Sequence, residues 1–341
     1  MTHNIAVFYH KADNDGVLSG VIAKHYLTPR FDVVDLIPID YGNDFEAALP
    51  NPATFYEEIY ILDVSDATFM EKYGDRIIYI DHHKWAMDTM PRVKDRHCID
   101  GVAACRLTFD YLTQAPNHVF HGKDYFVNRE NALEPLCVAI IGEFDIWDKT
   151  SPLGEKLNYG QECKFSSMEY LFSMTKGISV SESIQFCEND IGESCSDGGK
   201  GGDTSLLETN KNISEPYRDF SYLHYLVTKG EGALDYMKVA VDRTKPTKVV
   251  IDGHEGVYIN TSIDPSLVGM CYQLKFEEKF VMVWHLNNPD KDDKNKVSVS
   301  FRSNKIDVSL IARKYGGGGH KAAAGCKMSL SQLFEIIKPE F

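Results

Sequence analysis

In RIIYIDHHK (76–84), an apolar run ends abruptly in an acid and two histidines. Near-continuous Ile and Tyr without polar alternation are typical of a strand buried on both faces of a parallel sheet. IAVFYH (5–10) and IYILDVSD (59–66) repeat the pattern, whereas FDVVDLIPID (31–40) alternates more and is predicted to lie nearer an edge. A helical pattern, GVLSGVIAKHYL (16–27), follows the first strand. The first third therefore predicts an α/β fold with a parallel sheet.

The later sequence predicts a buried helix, a polar segment and a second, α+β unit. PLCVAIIGEFDIWD (135–148) has the pattern of a helix that carries acids at its C-terminal end. The polar, glycine-rich segment 187–215 is predicted as a flexible loop or linker. A helix is expected at 222–243, with a break at KGEG (229–232). Further strands are expected near 247–251, 256–261, 279–286 and 296–302, and further helices near 265–275, 306–315 and 328–338.

The length of 341 residues exceeds that of one ordinary core, so two domains are expected. We place them at 1–186 and 246–341, joined by the glycine-rich loop and a linker helix at 187–245. No apolar run approaches the roughly 20 residues that span a bilayer. The N-terminus MTHNIAVFYH lacks a basic leader region, which predicts a cytoplasmic protein without membrane contact.

The composition limits the class of function. The 36 basic and 50 acidic residues give a formal net charge of −14, which argues against a protein that coats long nucleic acid. An anionic substrate at a metal-filled pocket is still compatible with this charge. Eight cysteines without a CxxC pair predict reduced, structural thiols.

The predicted strands end in side chains that bind metals. In open α/β sheets, ligands bind beyond the carboxyl ends of the parallel strands. The candidates at these ends are His10, Asp13, Asp15, Asp63, Asp66, Asp81, His82 and His83. So many carboxylates at one edge would repel one another unless cations lay among them. Carboxylates with fewer imidazoles suit Mn²⁺ or Mg²⁺, and their number suits two ions.

Each motif alone has another interpretation. HKADNDG (10–16) could be a turn, because Asp-Gly after a strand is ordinary turn chemistry. In LDVSD (62–66), Ser65 or Asp66 could cap a following helix. The His-His pair could be a solvated turn. The joint occurrence of these motifs after three buried strands favours a site.

These motifs resemble a known family. HKADNDG, LDVSD, DHH (81–83) and the FD of GEFDIWD (142–148), in that order, resemble the four motifs of the DHH phosphoesterases. GGGGHKAAAG (316–325), preceded by SVSFRSN (298–304), resembles the glycine-rich motif of the DHHA1 accessory domain. The first motif reads H-x-x-D-x-D, one residue shorter than in several subfamilies. The resemblance implies a parallel-sheet DHH domain with helices on both faces and a smaller α+β DHHA1 domain.

The resemblance also implies residue roles. His10 and Asp13 would bind a first Mn²⁺, and Asp63 would bridge to a second ion. The ligands of the second ion would be Asp15, His82 and Asp145. Asp81 would orient a histidine and His83 would contact the phosphate or act as an acid, which makes these two the catalytic residues beside the metals. Asp148 is expected to be structural. Two Mn²⁺ ions are the expected cofactors, with Mg²⁺ or Co²⁺ as alternatives.

The glycine-rich motif predicts a second binding region. Its glycines would let the backbone approach an anion, and a flexible loop is the competing interpretation. The expected substrate-binding residues are Arg302, Gly317, Gly318, Gly319, His320 and Lys321. Five basic residues either line the approach to the metals or form a solvated face, namely Lys84, Arg92, Lys94, Arg96 and Arg106.

The function expected is a metal-dependent phosphodiesterase that hydrolyses short oligonucleotides, similar to the oligoribonuclease-type members, through a hydroxide activated by two metals. The partner would be a short single-stranded oligonucleotide or a dinucleotide, and the sequence is compatible with a homodimer. The alternatives are a cyclic-dinucleotide phosphodiesterase and a phosphatase for nucleotides, pyrophosphate or polyphosphate. A binding module without catalysis is disfavoured because every ligand position is filled.

Overall fold

A computed structural model describes residues 2–113, 134–146, 152–175, 215–275, 279–286 and 296–337 of the chain. Two features of the sequence prediction lie outside these residues, namely Asp148 and all but the last residue of the glycine-rich segment 187–215. The six cysteines in the described residues are free thiols. Within the same residues, no helix combines the length and the apolar character needed to cross a membrane.

The first half of the chain alternates strands and helices. The elements in chain order are β1 (Asn4–His10), α1 (Asn14–Leu27), β2 (Val33–Ile39), α2 (Phe45–Ala48), β3 (Glu58–Leu62), α3 (Ala67–Tyr73), β4 (Ile77–Asp81), α4 (Lys84–Thr89), β5 (Asp95–Cys98), α5 (Ala104–Thr113), α6 (Leu136–Asp145), α7 (Pro152–Gly160) and α8 (Phe165–Thr175). The strands form one parallel sheet in the order β2-β1-β3-β4-β5. The predicted parallel α/β fold is confirmed, with β2 at one edge as expected. The edge strand β5 was missed because its sequence, DRHC, contains no apolar run.

Helices cover both faces of this sheet. Every residue of β1 is buried, and successive side chains of a strand point to opposite faces. Val7 and its alternate neighbours share one core cluster with residues of α1, α5 and α6. On the other face, the ring of Phe8 contacts Phe45 of α2 at 4.9 Å and Phe69 of α3 at 5.4 Å between centroids. β1 is therefore covered on both faces.

A long helix, α9 (Glu215–Asp242), follows without interruption through KGEG (229–232). The break predicted there is wrong, and packing explains the glycine. A Cβ atom on Gly230 would lie 1.7 Å from the carbonyl oxygen of Lys156 in α7, and one on Gly160 would lie 1.8 Å from that of Leu226. Glycine at these positions lets the two helix backbones approach closely.

The C-terminal part forms a mixed sheet with helices. Its elements are β6 (Thr247–Ile251), β7 (His254–Asn260), α10 (Pro265–Lys275), β8 (Phe280–Leu286), β9 (Lys296–Arg302), α11 (Val308–Lys314), β10 (Gly318–Gly319), β11 (Ala323–Ser329) and α12 (Leu330–Ile336). The sheet order is β10-β11-β9-β8-β7-β6, and only the β7–β8 pair in it is parallel. β10 and β11 were not predicted, because glycines and alanines dominate their sequence.

The chain divides into two compact units. The first unit comprises Met1–His82 and Ala86–Gly232, and the second comprises His83–Trp85 and Ala233–Phe341. Each unit has its own core of buried aliphatic and aromatic side chains.

Candidate metal centre

His10 ends β1, and its buried ring faces three carboxylates. Its Nδ1 atom lies 2.8 Å from Asp13 Oδ2 and 3.6 Å from Asp63 Oδ2. Its Nε2 atom lies 3.2 Å from Oδ1 of Asp40, a residue just beyond β2 that none of the sequence motifs includes. The side chain of Asp13 also caps α1 by accepting a 2.8 Å hydrogen bond from the Gly16 amide. The first motif therefore supplies both a helix start and part of a cluster.

Asp15 lies in the first turn of α1 and is fully enclosed. Its two carboxylate oxygens accept 2.8 Å hydrogen bonds from the backbone amides of Ala104 and Cys105, which begin α5. The first backbone amides of a helix have no partner within that helix. The Asp15 carboxylate accepts their hydrogen bonds, and these bonds hold the carboxylate in place. Its Oδ2 atom also lies 3.6 Å from His82 Nε2. The partner amides are about ninety positions away, which is why the sequence did not reveal them.

Asp63 follows β3 and lies between the two histidines. Its Oδ1 atom is 3.4 Å from His82 Nε2, while Oδ2 is 3.6 Å from His10 Nδ1. The backbone φ of Asp63 is +59°, the left-handed region that residues other than glycine seldom adopt. A 3.0 Å hydrogen bond from its amide to the Ile80 carbonyl anchors this conformation. Strained backbone of this kind concentrates at functional sites.

The end of β4 and the end of α6 complete the cluster. His82 Nε2 lies 3.2 Å from Asp145 Oδ2, and Asp145 is the last residue of α6. Asp81 accepts hydrogen bonds from the Tyr79 hydroxyl and, at 2.6 Å, from the His82 amide. Asp81 thus holds the main chain of His82, and one of its carboxylate oxygens lies within 4.8 Å of a ring nitrogen of His82.

The charges in the cluster favour added positive charge. Burial raises the pKa of Asp15 well above its usual value, and the neighbouring carboxylates of Asp63 and Asp145 raise it further. Burial alone would lower the pKa of His10, but its hydrogen bonds to Asp13 and Asp63 raise it to about 11. Like charges at this density are stabilised by protons or by cations.

The pKa of His82 is also raised, although burial opposes the change. The charge of Asp145 and the hydrogen bond to Asp63 are the main causes. The carboxylates that stabilise the cationic form of this imidazole would also attract a metal cation at the same position.

The ligand atoms of the six expected metal ligands fall into two of the groups that these side chains form. His10, Asp13 and Asp63 form one, Asp15, His82 and Asp145 form the other, and within each group the ligand atoms lie within 4.8 Å of one another. Oxygen and imidazole donors without thiolate suit Mn²⁺, Mg²⁺ and related divalent ions. The residues present therefore fit a pair of divalent cations, with Asp63 directed at both groups.

Asp66 has the alternative role considered for its motif. Its Oδ1 atom accepts a 2.7 Å hydrogen bond from the Phe69 amide and caps α3. LDVSD therefore contains one aspartate that belongs to the cluster and one that begins a helix.

The second unit contains the residues expected to bind substrate. His320 lies in the turn between β10 and β11, and its ring stacks on that of His83 with centroids 4.7 Å apart. The guanidinium of Arg302 donates to Ser266 Oγ at 3.1 and 3.3 Å, and Lys321 is exposed.

The glycine segment forms a strand and a tight turn. The Gly317 amide donates to the Ala312 carbonyl and the His320 amide to that of Ala323, so these two amides already have protein partners. A Cβ atom on Gly317 would lie 2.0 Å from the Gly325 carbonyl oxygen. Close strand approach thus explains the glycine at this position.

The five basic residues do not form one group. Arg106 is buried and makes a two-pronged ion pair with Glu134, at 2.8 and 2.9 Å. Arg96 donates to backbone carbonyls such as that of Met87, at 3.1 Å. The ammonium of Lys94 pairs with Glu58, and Lys84 and Arg92 are exposed. Arg106 and Arg96 therefore support the fold.

Comparison with known proteins gives one match to a sequence family and several to solved structures. Comparison with curated proteins gives no match. A pGpG-specific phosphodiesterase, PggH from Vibrio cholerae, is 12% identical, with a TM-score of 0.45 over 98% of this chain and 96% of that one. An exopolyphosphatase-related protein from Bacteroides fragilis is 14% identical, with a TM-score of 0.44 and coverages of 98% and 90%.

Exonuclease RecJ bound to manganese is 15% identical to this chain, with a TM-score of 0.43 and coverages of 98% and 88%. The family match lies in the second unit, where residues 260–339 match the DHHA1 domain. The expected accessory domain is thereby confirmed over residues 260–339.

Proposed function

We propose that this protein is a metal-dependent phosphodiesterase that hydrolyses short oligonucleotides. The observation that carries the proposal is the position of Asp63, whose two oxygens face the two histidines at 3.4 and 3.6 Å. One carboxylate directed at two ligand groups is the arrangement that in-line phosphoryl hydrolysis by a pair of ions requires. The match of residues 260–339 to the DHHA1 domain supports the same class of reaction.

In this proposal the six clustered residues are metal ligands. His10 and Asp13 would hold one ion, Asp15, His82 and Asp145 would hold the other, and Asp63 would serve both. Divalent ions bound there supply Lewis acidity toward water and toward the phosphate oxygens. Because the α5 amides fix Asp15, its oxygens need little reorganisation when a substrate binds.

The second unit is proposed to bind the substrate. Arg302, at the end of β9, and His320 and Lys321 provide cationic or hydrogen-bonding groups for phosphate oxygens. Gly317, Gly318 and Gly319 shape the hairpin that carries His320 and Lys321. His83, whose ring stacks on His320, is proposed to contact the phosphate or to protonate the leaving oxygen.

Product analysis tests this proposal. End-labelled RNA and DNA of two to about ten residues are incubated with the protein and Mn²⁺, beside a cyclic dinucleotide, pyrophosphate and polyphosphate. We expect mononucleotide release from the shortest chains and slower release as the chains lengthen, since the net charge of −14 offers distant phosphates little attraction. Faster turnover of the cyclic dinucleotide or of pyrophosphate, with intact linear dinucleotides, would refute the proposal in favour of those alternatives.

The cytoplasmic location and the homodimer stay predictions.

A further inference from the structure

Asp40 makes a contact with the candidate centre that neither the motifs nor the proposed ligand set includes. It stands immediately after β2, at the end where that strand pairs with β1 in the register His10 to Ile39. The Lys11 amide extends the pairing by donating to the Ile39 carbonyl at 3.0 Å. Because parallel neighbours end at the same edge, Asp40 lies beside His10 although thirty residues separate them.

The loop around Asp40 holds its carboxylate in place. Asp40 Oδ1 accepts a 2.8 Å hydrogen bond from the Tyr41 amide and lies 3.2 Å from His10 Nε2. The Asp40 amide donates to Asn43 Oδ1 at 3.1 Å, and the Asn43 amide donates back to the Asp40 carbonyl at 3.1 Å. The ring of Tyr41 packs edge-on against His10, with 5.2 Å between centroids. The carboxylate is therefore oriented before any ligand arrives.

An imidazole that binds a cation in place of its second proton is neutral, with one N–H group and one lone pair. If Nε2 donates its hydrogen to Asp40, the lone pair must be on Nδ1, the atom that faces Asp13 and Asp63. The partner of one ring nitrogen thus selects which nitrogen can bind a cation.

We propose that Asp40 is a positioning residue that fixes His10 with Nδ1 directed at the first ion of the pair. The inference rests on the proposed function for the identity of the ions, and it adds a residue to that site. Asp40 takes no part in the chemistry and acts on His10 from the side of the imidazole that faces away from Asp13 and Asp63.

Calorimetric titration of the full chain measures its affinity for Mn²⁺. The wild type is compared with Asp40→Ala, Asp40→Asn and the control variant Asp44→Ala. Asp44 is four residues away and caps α2 through the Ala47 amide. We expect Asp40→Ala to weaken one of the two binding events roughly ten- to a hundredfold and to leave the other unchanged. Asp40→Asn should recover part of the loss, because its amide oxygen still accepts from Nε2. Asp44→Ala should bind both ions as the wild type does.

Nitrogen-15 NMR of the histidine rings in the presence of diamagnetic Mg²⁺ gives a second readout that does not depend on activity. His10 should be the Nε2–H tautomer in the wild type and a mixture in Asp40→Ala. The inference is overturned if Asp40→Ala binds both ions as tightly as the wild type, or if it loses affinity for both equally. It is also overturned if Asp44→Ala shows the same loss of affinity, or if the wild type takes up no Mn²⁺. A wild type that binds two ions but cleaves no phosphodiester contradicts only the proposed function.

Discussion

The two sheets of this protein place polar residues in different ways. In the parallel sheet, β1, β2, β3 and β4 all end at one edge, so residues from four distant segments meet there. In the mixed sheet most neighbours run in opposite directions, and strand ends are divided between two edges. The first arrangement gathers carboxylates, whereas the second presents a hairpin of glycines.

The two arrangements also differ in the physical constraint that each places on its residues. Gathering acids raises the pKa of Asp15 through burial and like charge, so protons or cations stabilise the carboxyl ends of the parallel strands. The glycine hairpin needs only close backbone contact, since a Cβ on Gly317 would meet the Gly325 carbonyl at 2.0 Å. Electrostatics therefore dominates the acidic cluster of the first unit, and steric fit dominates the hairpin of the second.

The largest effect is expected from Asp63→Asn. Replacing one charged oxygen by an amide removes the ligand shared by both groups, so metal binding and hydrolysis should be lost together. Calorimetry with Mn²⁺ and product analysis on a dinucleotide measure the two losses. Asp66→Asn is the matched control in the same segment, because asparagine also caps helices well and Asp66 only caps α3. Turnover like that of the wild type in Asp63→Asn would contradict the assignment of two ions.

The next effect concerns the helix crossing in the first unit. Gly230→Ala places a methyl group 1.7 Å from the Lys156 carbonyl oxygen, and the helices must separate to admit it. We expect a loss of about 3 kcal/mol in the free energy of unfolding, at the upper end for overpacking. Gly232→Ala, with no atom within 4 Å of its Cβ, should stabilise the same helix by about 0.5–1 kcal/mol. Urea denaturation of both variants checks the contrast, and equal stability of the two would disprove the close crossing.

The sequence allowed prediction of the parallel sheet because buried strands carry apolar runs that end in functional acids. It did not reveal β5 or β11, whose sequences DRHC and AAGCKMS lack such runs and are stabilised by strand pairing. It grouped His10, Asp15 and Asp63 by their place after strands. It could not supply the contacts of Asp40 or of the α5 amides, because these depend on which strands and helices become neighbours.

A smaller effect is expected in the hairpin of the second unit. Gly317→Ala should lower stability by about 2 kcal/mol, because its Cβ would collide with backbone atoms of β11. Gly318→Ala is the matched control, since the nearest atom to its Cβ, in Trp85, is at the ordinary distance of 3.8 Å. Hydrogen exchange of the β11 amides should rise in Gly317→Ala alone. Equal protection in both variants would show that the segment tolerates a side chain and that its glycines serve another purpose.

The smallest effect separates capping from function. Asp13 caps α1 and also faces His10, whereas Ser329 caps α12 through the Gln332 amide and has no link to the cluster. Ser329→Ala should therefore cost about 1 kcal/mol in the free energy of unfolding and leave Mn²⁺ binding unchanged. Ser329→Asp, which keeps a capping oxygen, should restore stability in the same urea titration. If Ser329→Ala also weakened Mn²⁺ binding, the two units would be energetically coupled, and the division of labour between charge at one sheet and steric fit at the other would be wrong.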